Sequence, residues 1–258
     1  MPWNNSAWAA VRRCPGYAGS RNTPAPCWAR SFSPYANFGQ VPLPAVQEAV
    51  RQQFARWGLP ASLRVDNGPP WGNFNDLPTA FALWLVGMGV RWHWNDPGRP
   101  QQNPKVERSQ GTAKRWCEPE RCVSAAELQT RLDEADRRQR EEYPTAAASR
   151  WELFPELRHS GRSYSLAWER RAWDLALVEE HLAEYGAVRQ VGANGSVGVY
   201  DRARYVGRAY AGQYVLVQYD PQAHGWLITD AQGRELRRHP APEICRQQIV
   251  KGTFGKSS

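Results

Sequence analysis

Aspartate is absent from the first 65 residues of this 258-residue chain, and Glu48 is the only acid among them. Chemistry that needs paired carboxylates must therefore draw them from later in the sequence. Cysteine is also sparse, with five residues at positions 14, 27, 117, 122 and 245. An odd, scattered set excludes a dense disulfide framework and fits a reducing compartment. Cys117 and Cys122 lack a second Cys or His pair at zinc-ligand spacing. No run of about 18 apolar residues occurs, which argues against a transmembrane helix. Arg12-Arg13 is followed by Cys-Pro-Gly rather than by the apolar segment of an export signal, so the expected location is the cytoplasm.

Negative charge is in short supply. A net charge of +8 and a pI near 9.5 call for an anionic partner, nucleic acid first. The imbalance is uneven: residues 1–65 carry seven Lys/Arg against one acid, and residues 187–258 carry ten against five. Residues 124–186 reverse it, with nine against thirteen. Basic outer segments around an acidic middle imply separate modules.

Residues 1–40 show neither helical nor alternating periodicity and are broken by Pro and Gly. Order begins at Pro44. Val46, Ala49, Val50, Phe54 and Trp57 recur at helical steps, and Gly58 and Pro60 stop the helix. Leu63–Val65 reads as a short buried strand that ends at Asp66 and the turn Asn67-Gly68-Pro69-Pro70. A nearly all-apolar helix is expected over Leu77–Met88, then a strand over Val90–Trp94 in which His93 is a packed histidine. Asn95–Gln102 is a Pro/Gly loop. Asn103 makes a good N-cap with Pro104 at the first helical position, which places Glu107 in the first turn. Gln110, Gly111 and Lys114 follow on the same side of that helix.

Ser124-Ala-Ala-Glu127 is a capping box that opens a helix to about Tyr143. Residues 144–170 read as an irregular linker, and a further amphipathic helix covers Trp173–Tyr185. The period then shifts to strands. Ala193-Asn194-Gly195-Ser196 is expected to join Val188/Val191 and Val197/Val199 as a hairpin, with more strands at Tyr214–Tyr219 and Gly225–Thr229. Short strands at close spacing indicate a small β-barrel. Trp84, Trp92, Trp94 and Trp226 stand in these elements and read as core rather than as base-stacking platforms.

Asp66 after a strand and Glu107 on a helix, forty-one residues apart, supply hard oxygen ligands suited to Mg²⁺ or Mn²⁺. Taken singly, each acid also fits a turn or a helix terminus. Together, Gly58-Leu59-Pro60, Val65-Asp66-Asn67-Gly68 and Pro97-Gly98-x-Pro100-x-x-Asn103-x-x-x-Glu107-Arg108 resemble the DDE transposase/retroviral integrase superfamily, in particular bacterial insertion-sequence transposases. The resemblance implies an α/β RNase H-like integrase core, incomplete at its N-terminus, then a helical linker and a small all-β barrel. The strands from Gly207 onward are similar to the barrel of phage Mu-like transposases.

On that reading residues 1–40 are an irregular basic segment, disordered or out of frame. Residues 41–123 are a partial catalytic core, 124–186 the helical linker, 187–250 the barrel and 251–258 a tail. Asp66 matches the second catalytic Asp and Glu107 the catalytic Glu, both holding Mg²⁺ or Mn²⁺ for polynucleotidyl transfer. The family's first Asp has no counterpart, so the expectation is a truncated or frame-shifted transposase with weak or lost metal binding and catalysis. The implied partner is DNA, as transposon ends and target, at the nucleoid, with a homo-oligomer or a full-length transposase as a second partner. Phosphate contacts are expected from Asn103, Lys105, Arg108, Lys114 and Arg115 in the core. The barrel adds Arg202, Arg204, Arg208, Arg237 and Arg238. The rival readings are a non-catalytic DNA-binding or inhibitory fragment and a relic without function.

Overall fold

The computed structural model describes residues 43–65, 71–72, 76–95, 104–145 and 148–252. In chain order the first elements are α1 (Leu43–Trp57), β1 (Ser62–Val65), α2 (Ala80–Gly87), β2 (Arg91–Trp94), α3 (Pro104–Cys117) and α4 (Ala125–Glu141). The two-residue strands β3 (Pro144–Thr145) and β4 (Ala148–Ser149) follow, then α5 (Arg150–Leu153), α6 (Leu166–Ala172) and α7 (Leu175–Ala183). The last part holds β5 (Gly186–Gln190), β6 (Ser196–Val199), β7 (Arg202–Tyr205), β8 (Tyr214–Asp220), β9 (Gly225–Thr229), β10 (Glu235–Pro240) and α8 (Arg246–Lys251). These elements divide between two compact units, one of residues 1–66 and 90–171, the other of residues 67–89 and 172–258.

In the first unit, α1 buries Val46, Gln47, Val50 and Phe54, the stripe that its periodicity predicts. Gly58 ends it at φ 77°, and its N–H donates to the Phe54 carbonyl at 2.8 Å. Any Cβ there would stand 2.2 Å from Ser160 Oγ and 2.7 Å from the Arg162 carbonyl, so the position requires glycine twice over. Strand β1 pairs parallel with β2, Leu63 beside Trp92 and Val65 beside Trp94. The Asn95 N–H extends the ladder to the Val65 carbonyl at 2.8 Å. Trp92 and Trp94 are buried while Arg91 and His93 are exposed. His93 is thus not packed: strand alternation sends it to the face opposite its tryptophan neighbours.

Helices α3 and α4 share a small core of Cys117, Leu128, Leu132 and Ala135. The N-terminus of α4 forms the Ser124 half of the expected capping box, while the Glu127 side chain turns to Val123 rather than to the Ser124 N–H. Ser124 Oγ accepts from the Glu127 N–H at 3.1 Å, and the Glu127 carboxylate accepts from the Val123 N–H at 2.9 Å.

The stretch read as an irregular linker carries short elements between irregular segments, and residues 146 and 147 lie outside the described ones. Helix α5 opens on a reciprocal capping box between Ser149 and Glu152, the same signal as at Ser124 but in a helix of one turn. Residues 159–169 then run back along α1. The Ser160 N–H donates to the Trp57 carbonyl at 2.9 Å, the Leu59 N–H to the Arg162 carbonyl at 2.8 Å, and Arg162 Nη1 to the Pro60 carbonyl at 2.8 Å. Arg51 binds the buried Glu169 through Nε at 3.0 Å and Nη2 at 2.8 Å, and the Tyr164 hydroxyl donates to the same carboxylate. Arg140 is buried with its guanidinium 4.9 Å from the Trp57 ring and 5.6 Å from the Trp151 ring, a cation between two π faces.

In the second unit α2 is buried on every side, as expected of a helix with no polar face. Thr79 caps it, with Oγ1 accepting from the Ala82 N–H at 3.3 Å. The other end is tied down by Trp173 Nε1, which donates to the Trp84 carbonyl at 3.0 Å, and by the Asp174 N–H on the Gly87 carbonyl at 2.8 Å. An antiparallel sheet in the order β10-β9-β8-β5 buries Ala187, Val215, Val217, Tyr219, Trp226 and Ile228. Strands β6 and β7 form a separate hairpin.

The hairpin expected around Asn194-Gly195 is therefore a misreading of partners. That turn forms, with the Gly195 N–H on the Gly192 carbonyl at 2.8 Å, but β5 pairs with β8 and β6 with β7. The tight two-residue turn is Tyr200-Asp201, both at positive φ (47° and 61°), an αL pair that suits the strand twist and that no Gly or Asn announces.

Glu243, fully buried, binds this unit together. Its two oxygens accept from Arg204 Nη2 at 2.6 and 2.7 Å, and Oε1 also accepts from Trp226 Nε1 at 2.7 Å.

Candidate nucleic-acid interface

Helix α3 begins with Pro104, whose missing N–H costs nothing in a first turn. At about 100° per residue, Ala113 and Cys117 lie on one side of it, and both are fully buried. The opposite side is centred on Gly111. Arg108, Lys114 and Arg115 flank that residue within one turn, and all four are exposed. Glu107 stands one turn before Gly111 on this same face by helical position. The sequence places an acid, a glycine and three cations on the side of α3 that its own packing leaves open.

Asp66 and Asn103 lie outside the described residues. Lys105 and Glu107 are placed by the backbone of α3. Asp66 is the residue that follows β1, whose end is fixed to β2 through Val65 and Asn95. Among the described residues no three His, Cys, Asp or Glu side chains are grouped to hold a metal ion. Asp and Glu carboxylates are hard oxygen donors, the ligand type that Mg²⁺ and Mn²⁺ take.

Sequence reasoning missed two exposed cations, Arg64 and Arg91. They share the open face of the β1–β2 pair with His93, which stands beside Arg64 in the ladder. Desolvation first, then the positive charges of Arg64 and Arg91, hold the His93 imidazole below its ordinary pKa, so it is neutral at pH 7. Alternation in Arg91-Trp-His-Trp94 carried the signal for that face.

Residues 88–143 match the family model described as the integrase core domain. The match takes in β2, α3 and α4, and with them Glu107, Arg108, Lys114 and Arg115. It begins after Asp66. The matched stretch is mixed α/β, and it coincides with the open face of α3.

The arginines read from the later strands are placed differently. Arg204 has 11% of its side chain exposed and is bound to Glu243, with Arg202 Nε 3.6 Å from the same carboxylate. Arg238 is paired with Asp220 and Glu235. Arg208 and Arg237 are exposed. Of the candidate cations, Arg204 has its charge balanced in the interior. Arg108, Lys114 and Arg115 of α3 are exposed.

Among the described residues no helix is long and apolar enough to cross a membrane.

Proposed function

We propose that the chain acts on DNA as a transposase- or integrase-like protein of the DDE superfamily, and that α3 is its principal DNA-facing element. The match of residues 88–143 to the integrase core domain carries this reading. The exposed Arg108, Lys114 and Arg115 support it, because phosphate oxygens are the natural partners of a cationic helix face. In this reading β1, β2, α3 and α4 belong to an RNase H-like core of the insertion-sequence type, and the strands from β5 onward are a barrel-like module similar to that of Mu-like transposases.

Asp66 and Glu107 are the proposed catalytic carboxylates and would hold Mg²⁺ or Mn²⁺. When bound, such ions activate the attacking hydroxyl or water and stabilise the departing oxygen of a phosphodiester. The chain's own cations do the rest: Lys105, Arg108, Lys114 and Arg115 fix the backbone of the duplex against the helix, with Arg64 and Arg91 as further contacts. Within this chain, residues 1–65 supply no Asp, which leaves two carboxylates where the DDE chemistry uses three. With these two carboxylates alone, the reading is DNA binding without efficient strand transfer. That observation also favours the second reading, a DNA-binding protein that occupies transposon ends, alone or with a complete transposase, and blocks the reaction.

The test is a nicking assay on supercoiled plasmid with purified full-length protein and Mg²⁺ or Mn²⁺. The expected result is binding with no nicking above background. Metal-dependent nicking that disappears in Asp66→Asn would overturn the assignment of a defective centre.

A further inference from the structure

Gly111 stands in the middle of a fourteen-residue helix, and nothing in the described structure explains it. A Cβ added there would meet nothing within 4 Å among the described residues, and the residue has no positive φ to require glycine. Glycine is the least favourable residue in a helix interior after proline, so at this position it weakens α3 for no internal return. Gly58 and Gly87 differ, because side chains or backbone occupy the space that a Cβ would take. A helical glycine without an internal reason leaves room for something outside the chain. By helical position the acid Glu107 stands one turn before it, and the exposed Arg108, Lys114 and Arg115 frame it.

We propose that Gly111 is the seat of a DNA sugar–phosphate backbone, a gap in the α3 surface that lets the strand come into van der Waals contact with the helix while the three flanking cations hold its phosphates. The inference rests on the DNA-binding reading above and adds to it a positioning residue that is neither charged nor polar. Missing bulk admits the strand closely enough for Arg108, Lys114 and Arg115 to hold adjoining phosphates. A Cβ would lift the strand from the helix without changing any charge.

The variant Gly111→Ala in the full-length chain therefore moves two readouts in opposite directions. Its melting temperature should rise by about 2–4 °C, as an alanine improves an exposed helix. Its affinity for a mixed-sequence DNA duplex should fall about tenfold, with the dependence on salt unchanged because no phosphate contact is deleted. Gly111→Gln, a good helix former of greater bulk, should bind more weakly still. Lys114→Ala is the contrast: weaker binding with a shallower salt dependence. If Gly111→Ala is more stable and binds DNA as tightly as the parent while Lys114→Ala loses affinity, the seat is wrong and the cationic face stands. If the parent itself fails to bind duplex DNA, the underlying reading has failed and the seat goes with it.

Discussion

Glu243→Ala should lower the stability of the chain by roughly 3–5 kcal/mol, the cost of removing one partner from a buried ion pair. The carboxylate has no exposed surface and accepts from Arg204 and Trp226 together, while Arg204 itself is nearly buried. Its removal leaves a guanidinium without its counter-charge and an indole N–H without an acceptor, in a space that water enters poorly. Glu243→Gln keeps the shape and an acceptor for Trp226 but not the charge, and should lose less. Urea unfolding followed by circular dichroism measures both. A loss below about 1 kcal/mol in the alanine variant would show that water reaches this site and that the pair is not the clamp of its unit.

Gly87→Ala should also destabilise, by about 2 kcal/mol, although alanine is the better helix former. A Cβ at Gly87 would lie 2.2 Å from Trp173 Cε2 and 2.3 Å from its Nε1. The indole cannot simply turn away, since it is buried and its N–H is held by the Trp84 carbonyl. The expected signature is non-additivity. Once Trp173→Ala has emptied the space, Gly87→Ala should cost nothing or stabilise slightly, so the double variant should be at least as stable as Trp173→Ala alone. Additive losses would place the cost of Gly87→Ala elsewhere. Gly87 and Gly111 thus form a pair of opposite sign: two glycines inside helices, one required by an indole and the other by nothing within the described structure.

Local rules carried most of the elements that position the site. Gly58 ended α1 where predicted, Pro104 opened α3 as the first helical residue, and Ser124 with Glu127 opened α4. Trp84, Trp92, Trp94 and Trp226 are core, as their elements implied. Failures came where the deciding partner is distant in sequence. Strand β5 chooses β8 across more than twenty residues, and the Asn194-Gly195 turn says nothing of that choice. The stretch 144–170 has no periodicity; within it, residues 159–169 are fixed by Arg51 and Trp57 of α1 and by Leu59 and Pro60 just after it. The face of His93 follows from strand alternation and not from the size of its tryptophan neighbours. The arginines of the later strands show the limit of counting charge, since a buried acid such as Glu243 has no local mark that sets it apart from a surface one. Of the candidate site, the helix and its start at Pro104 were legible in the sequence. The open space at Gly111 among the described residues was not, because it is a property of what other elements leave unfilled.

DNA binding by the full-length chain, measured as affinity against salt concentration, tests the functional reading most directly. Contacts from Lys105, Arg108, Lys114 and Arg115 predict a log–log slope of about −3.6, steeper if Arg64 and Arg91 also engage, and a shallower one when Lys114 or Arg115 is replaced by alanine. A slope near zero, or affinity unchanged by those substitutions, would contradict a DNA-facing α3.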